Sequence, residues 1–232
     1  MTQPESLDSI DSQEIHKHSF WLYSVIVGLS VEEALRHVLP HVGELSLSIQ
    51  PDEGMDIALE FVRLALFLCL VVRFYLGSVR FFYQAHINQH SDENYPNKNY
   101  TYDFFIGLIH FSAFLALSLT IDSKQPFWVF LFWLSFILLY DLFWLFVCRK
   151  YDTSKIVKFW AFLNGVTFVL SWLLYLGIAK FFSLFASDKN VEFWSQIFFM
   201  LPIFLISFAD IKEVLKSEPV LATWFANLLK RK

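Results

Sequence analysis

Apolar residues fall in six blocks separated by polar connections, at about 19–39, 57–83, 104–121, 127–148, 159–178 and 193–208. Each approaches the roughly 20 residues that a helix needs to cross a bilayer core. The pattern predicts an all-α, polytopic transmembrane helical bundle of about six spans, or five if the first does not cross. That first block is the weakest. Only Phe20 to Val31 is free of charge, which is short for a span. It either crosses with a polar end or enters and leaves by one face; crossing is favoured. Pro40 is expected to end its helix.

The connections support the same layout. Residues 1–18 are polar and acidic and read as a short cytosolic tail, in which Ser9, Asp11 or Ser12 would cap the first helix. They lack the basic region, apolar core and cleavage site of a signal peptide. Asp122–Gln125 is short enough to force a tight antiparallel hairpin between the third and fourth spans. Residues 149–158, RKYDTSKIVK, set four Lys or Arg against one Asp. Basic loops stay on the cytoplasmic side, so six spans place both termini in the cytoplasm. Residues 210–232 form a tail whose 218–230 stretch alternates at helical period and ends in Lys230, Arg231 and Lys232. This predicts an amphipathic helix on the cytoplasmic leaflet, or an oligomer contact.

Composition agrees with a membrane protein. The chain is 56% hydrophobic and only 17% charged, where soluble domains carry about a quarter charged residues. The net charge of −4 gives no sign of nucleic-acid binding. Cys69 and Cys148 lie in apolar blocks and offer neither a disulfide framework nor a metal motif.

The charges inside the blocks carry the functional question. Residues 55–86 are apolar enough to cross a membrane, yet contain Arg63, Arg73 and Arg80. A mid-bilayer arginine costs about 3 kcal/mol on insertion scales. At about 100° per residue the three fall within a stripe roughly 100° wide. The stripe must face other helices, a water-filled path or an anion. It is either a set of buried ion pairs that fixes packing or the wall of a pore or cavity. Glu60 stands one turn before Arg63 as a possible partner.

Other chains of charge could serve the stripe. Glu32, Glu33, Arg36 and His37 crowd the end of the first block, with i,i+4 neighbours among them. They mark a helix end emerging into water, or carboxylates that pair with the arginines. Asp141, about two-thirds along the fourth block, is a natural arginine partner, because a lone carboxylate at that depth must be paired or protonated. Asn164, Thr167 and Ser171 share one face of the fifth block, suited to a helix–helix contact. Pro202 breaks the sixth, as a packing kink or a gate. His110 reads as a packing residue rather than a proton relay. His16 with His18, and His86 with His90, read as surface histidines rather than metal ligands; no cofactor and no metal is expected.

The segment Arg73-Phe74-Tyr75-Leu76-Gly77-Ser78-Val79-Arg80 resembles a segment of small bacterial multi-pass membrane proteins. Gly28-Leu29-Ser30-Val31-Glu32-Glu33-Ala34-Leu35 is similar to their first span. No activity attaches to that likeness. In size and layout the chain is also similar to compact membrane effectors of bacterial anti-phage systems. That likeness implies a homo-oligomer that forms or opens a pore in the bacterial inner membrane when a signal arrives.

No phosphate loop, zinc motif or nucleophile elbow is present in the sequence, and no enzyme activity is expected. The leading expectation is a homo-oligomeric channel or pore-like protein with the arginine stripe at a cavity. Its partners would be the lipid bilayer, further copies of itself, and a cytosolic protein or small signal ligand. A non-catalytic anchor or scaffold is the alternative. A small-solute transporter or an intramembrane enzyme comes third.

Overall fold

A computed structural model describes residues 7–43, 51–82, 100–122, 124–148, 155–184 and 188–217. Six helices account for nearly all of them: α1 Leu7–Gly43, α2 Pro51–Phe82, α3 Tyr100–Ser118, α4 Phe127–Cys148, α5 Lys155–Phe182 and α6 Asp188–Ser217. No strand occurs among the described residues. Each apolar block of the sequence lies on one helix.

Several boundaries differ from expectation: α2 starts at Pro51, α5 starts at Lys155 within the expected 149–158 loop, and α6 runs to Ser217, into the expected tail. α1 starts at Leu7, so most of the expected tail is helical. No Gly or Pro interrupts Leu7–Val27, and polar residues propagate a helix in water once it is nucleated. α1 also runs through Pro40 to Gly43. That proline deprives only the Arg36 carbonyl of its helical donor, and it does so on an exposed last turn where water can substitute. The amphipathic tail beyond Ser217, His86 and His90 lie outside the described residues.

The helices close a ring in the order α1, α3, α4, α5, α6, α2 and back to α1, with α2 also touching α3. α3 and α4 form the expected hairpin. In its turn the amide of Gln125 donates to the Asp122 carbonyl at 3.0 Å, and that of Lys124 to Asp122 Oδ1 at 2.8 Å. Phe67, Leu70, Phe114, Phe130, Leu134 and Phe199 fill the interior and are buried.

Among the described residues three stretches are long and apolar enough to cross a membrane: Phe127–Trp144, Phe159–Phe181 and Lys189–Glu213. Tyr102–Ser118 is a shorter apolar helix. Large apolar side chains point out of the ring on the same helices, among them Phe132, Phe146, Phe162, Leu173 and Phe208. Water would penalise such a surface, whereas lipid does not. The molecule is a membrane protein built as a helical bundle.

Candidate functional site

Arg63 and Arg73 both point into the ring, only 1% and 2% exposed. They are ten residues apart, or about 15 Å along α2. Each anchors a separate polar node, and the aromatic interior lies between them.

At the Arg73 node, α2 meets α4, α5 and α6. Arg73 Nε donates to Asp210 Oδ2 at 2.8 Å, and Nη2 donates to Asn164 Oδ1 at 2.6 Å. Trp160 Nε1 donates to the other Asp210 oxygen at 2.9 Å. The Asn164 amide nitrogen donates in turn to Asp141. One guanidinium thus holds Asp210 directly and Asp141 through the Asn164 amide. Arg73 also lies over the Phe74 ring, 5.1 Å from its centroid. Charge-assisted bonds of this kind are the strong ones, and each member of the pair satisfies a group that burial would otherwise penalise.

Gly77 completes this node. It follows Arg73 by one helical turn, and the Trp160 ring lies directly against it. A Cβ at Gly77 would overlap that ring. The missing side chain lets Trp160 reach Asp210. The Arg73 and Gly77 of the sequence segment therefore form one device.

At the Arg63 node, Nε and Nη2 donate to Gln196 Oε1 at 3.2 and 2.7 Å. Nη1 donates to the carbonyls of Thr120, Ile121 and Asp122 at 3.3, 3.5 and 3.0 Å. Arg63 therefore caps the turn after α3. There carbonyls have run out of helical donors and a cation is favoured. The rings of Phe130 and Phe127 flank it at 5.1 and 5.7 Å. Glu60 is buried one turn earlier.

The other predicted residues lie elsewhere. Glu32, Glu33 and Arg36 form no ion pair with Arg63 or Arg73 among the described residues. Arg36 bridges Glu32 at 2.9 Å and Glu33 at 3.3 Å, and His37 approaches Glu33 at 3.2 Å. The spacing already favoured these local pairs, and the Arg36 and Glu32 side chains are about two-thirds exposed. The Arg80 side chain lies outside the described residues. Pro202 is buried within a continuous α6, between Gln196 and Asp210, the two residues that hold the arginines.

Comparison with known protein families, with curated proteins and with solved structures gives no match. The reading of the site therefore rests on its geometry.

His110 is fully buried against Phe74, Phe114 and Tyr140, with ring centroids 4.9, 5.6 and 5.9 Å away. Neither of its nitrogens has a hydrogen-bond partner among the described residues. It packs as one ring of an aromatic cluster. Arg73 Nη1, Ser171 Oγ and Ser207 Oγ are likewise buried without a partner among those residues. No group of three potential metal ligands occurs among them.

Three participants were missed in the sequence: Asp210, Gln196 and Trp160, the last an ordinary aromatic of an apolar block. Asp210 falls just past the last apolar block, where it reads as a solvated tail residue. Gln196 is a neutral residue in an apolar run. A signal for Asp210 existed: it stands fourteen residues after Gln196, close to four helical turns, on the same face of α6.

Proposed function

We propose that this chain is a non-catalytic membrane module, an anchor or scaffold, whose intramembrane charges fix one arrangement of its helices. The observation that carries the reading is that Arg73 finds a carboxylate and an amide acceptor inside its own chain. Asp210 and Asn164 belong to the same chain as the arginine and leave it facing the interior. A charge paired in this way needs no counter-ion from a neighbouring subunit or a permeating ion. Buried pairs are poor sources of net stability but specify register, which suits a clamp joining α2 to α5 and α6. In this reading all six helices cross the bacterial inner membrane, and both termini face the cytoplasm. The cytoplasmic loops would meet a protein partner.

A second reading, a homo-oligomeric channel or pore-like effector seen closed, draws on the buried Arg73 Nη1, Ser171 Oγ and Ser207 Oγ. Polar atoms of this kind are commonly met by ordered water, and a hydrated seam between helices is the start of a conduction path.

Ion flux from dye-loaded liposomes, wild type beside Arg73→Ala, separates the two. The scaffold reading expects no flux from well-inserted wild type and impaired folding in the variant. Flux in wild type that changes in an inserted Arg73→Ala protein would establish the channel reading instead.

A further inference from the structure

The Arg63 end of the bundle carries a cavity beside the arginine node, sharing Phe127 with it. It opens where α4 begins, α5 ends and α6 begins, and its volume is about 410 Å³. That is enough for a small ligand or a lipid headgroup. Phe127, Trp128 and Tyr175 line it together with Val191, Glu192 and Ser195. Phe127 and Tyr175 pack with ring centroids 5.6 Å apart, tilted by 50°. Trp128 is 69% exposed at the rim. No lysine or arginine is among the residues that line it.

Three aromatic rings and one carboxylate make a specific chemical environment. Aromatic faces attract cations, most of all alkylated ammonium groups. The exposed Glu192 supplies the full negative charge and repels anions. Its Oε1 accepts from Gln196 Nε2 at 3.3 Å, while the same Gln196 accepts from Arg63. Gln196 thus stands between the two charges, and no ion pair joins Arg63 to Glu192 among the described residues. The nearby lysine is also engaged: Lys189 pairs with Asp56 at 3.4 Å. Among the described residues no cation pairs with Glu192 directly; the Arg63 charge acts on it across Gln196. The cavity lies at the ends of apolar helices, the depth at which Trp and Tyr rings meet lipid headgroups.

We propose that this cavity is a binding site for an alkylammonium group, held over Phe127, Trp128 and Tyr175 with Glu192 as its counter-ion. The ammonium is carried either by a lipid headgroup of the ethanolamine or choline type or by a free amine. The proposal is independent of whether the chain conducts ions.

The test uses the full chain in nanodiscs of phosphatidylglycerol alone, titrated with choline and with ethanolamine by calorimetry. A parallel arm uses nanodiscs of equal phosphatidylethanolamine and phosphatidylglycerol, with retained lipid counted by native mass spectrometry. Saturable binding of either soluble probe supports a site open to free amines. Selective retention of phosphatidylethanolamine without soluble binding supports a headgroup site. In either case Glu192→Gln and Trp128→Ala, both at exposed positions, weaken binding by at least about tenfold. Absence of binding in both arms overturns the proposal. So does equal retention of the two lipids, or binding that both variants leave unchanged.

Discussion

Arg73 Nε and Asp210 Oδ2 lie 2.8 Å apart although 137 positions separate the residues in the chain. The bond ties the last third of α2 to the last third of α6. On the same helix Gln196 holds Arg63, fourteen residues earlier. α6 is thus fastened to α2 at two points, and Pro202 falls between them. The proline leaves the Phe198 carbonyl without its helical donor and weakens α6 at that point. Two fixed points on either side are what such a helix needs to keep one shape.

Asp141 separates direct pairing from relayed pairing. It reaches Arg73 only through the Asn164 amide. Asp141→Asn can still accept that amide's proton, so it is expected to cost under about 1 kcal/mol. Asp141→Leu leaves the donor buried and unpaired, at about 1–3 kcal/mol. Equilibrium unfolding in micelles measures both. A loss for Asp141→Asn as large as that for Asp210→Asn would show that Asp141 pairs with the arginine itself.

Gly77 and Trp160 are expected to behave as one site. Gly77→Val drives a side chain into the Trp160 ring, and overpacking of this kind costs about 2 kcal/mol. It also pulls the indole away from Asp210. Trp160→Ala in the same chain should remove most of the extra penalty of Gly77→Val, as read by thermal unfolding. Simple additivity of the two losses would contradict the contact.

Arg63 is expected to act on the turn it caps. Arg63→Met keeps the stem but removes all donors to the carbonyls of Thr120, Ile121 and Asp122. Amide exchange across residues 119–125 should rise in this variant, with little change in α5. Arg63→Lys should not restore protection, because an ammonium cannot reach Gln196 and the turn together in the manner of the planar fork. Unchanged exchange at the turn would remove the capping role.

The Glu32–Arg36 pair is expected to matter little. Its side chains are mostly exposed, and surface pairs of this spacing contribute about 0.3–0.5 kcal/mol. Arg36→Ala should therefore unfold within about 0.5 kcal/mol of wild type. A large loss would mean that this cluster contacts a partner.

Much of the fold was legible because apolar blocks of helical length have few alternatives. The bounds of α4 match the sequence reading, since Pro126 and the basic run that follows Cys148 punctuate it clearly. The inward direction of Arg63 and Arg73 was also legible, as lipid cannot solvate them. Their partners were not. Asp141 was the only acid deep in an apolar block, and it drew the pairing away from Asp210. Helix neighbours in a ring are set by packing that no periodicity records, so α2 could not be seen to meet α6. The start of α1 was hidden for another reason: polar residues continue a helix in water without leaving an apolar signature.

The central claim is that Arg73 and Asp210 form an internal clamp, and a double-mutant cycle tests it most directly. Arg73→Met, Asp210→Leu and the double variant would be unfolded in micelles beside wild type. Each single change strands a buried partner and is expected to cost about 3–5 kcal/mol, while the double change costs far less than their sum. A coupling of at least about 2 kcal/mol is the expected result. Additive single losses would contradict the clamp and leave Arg73 free for a path through the bundle.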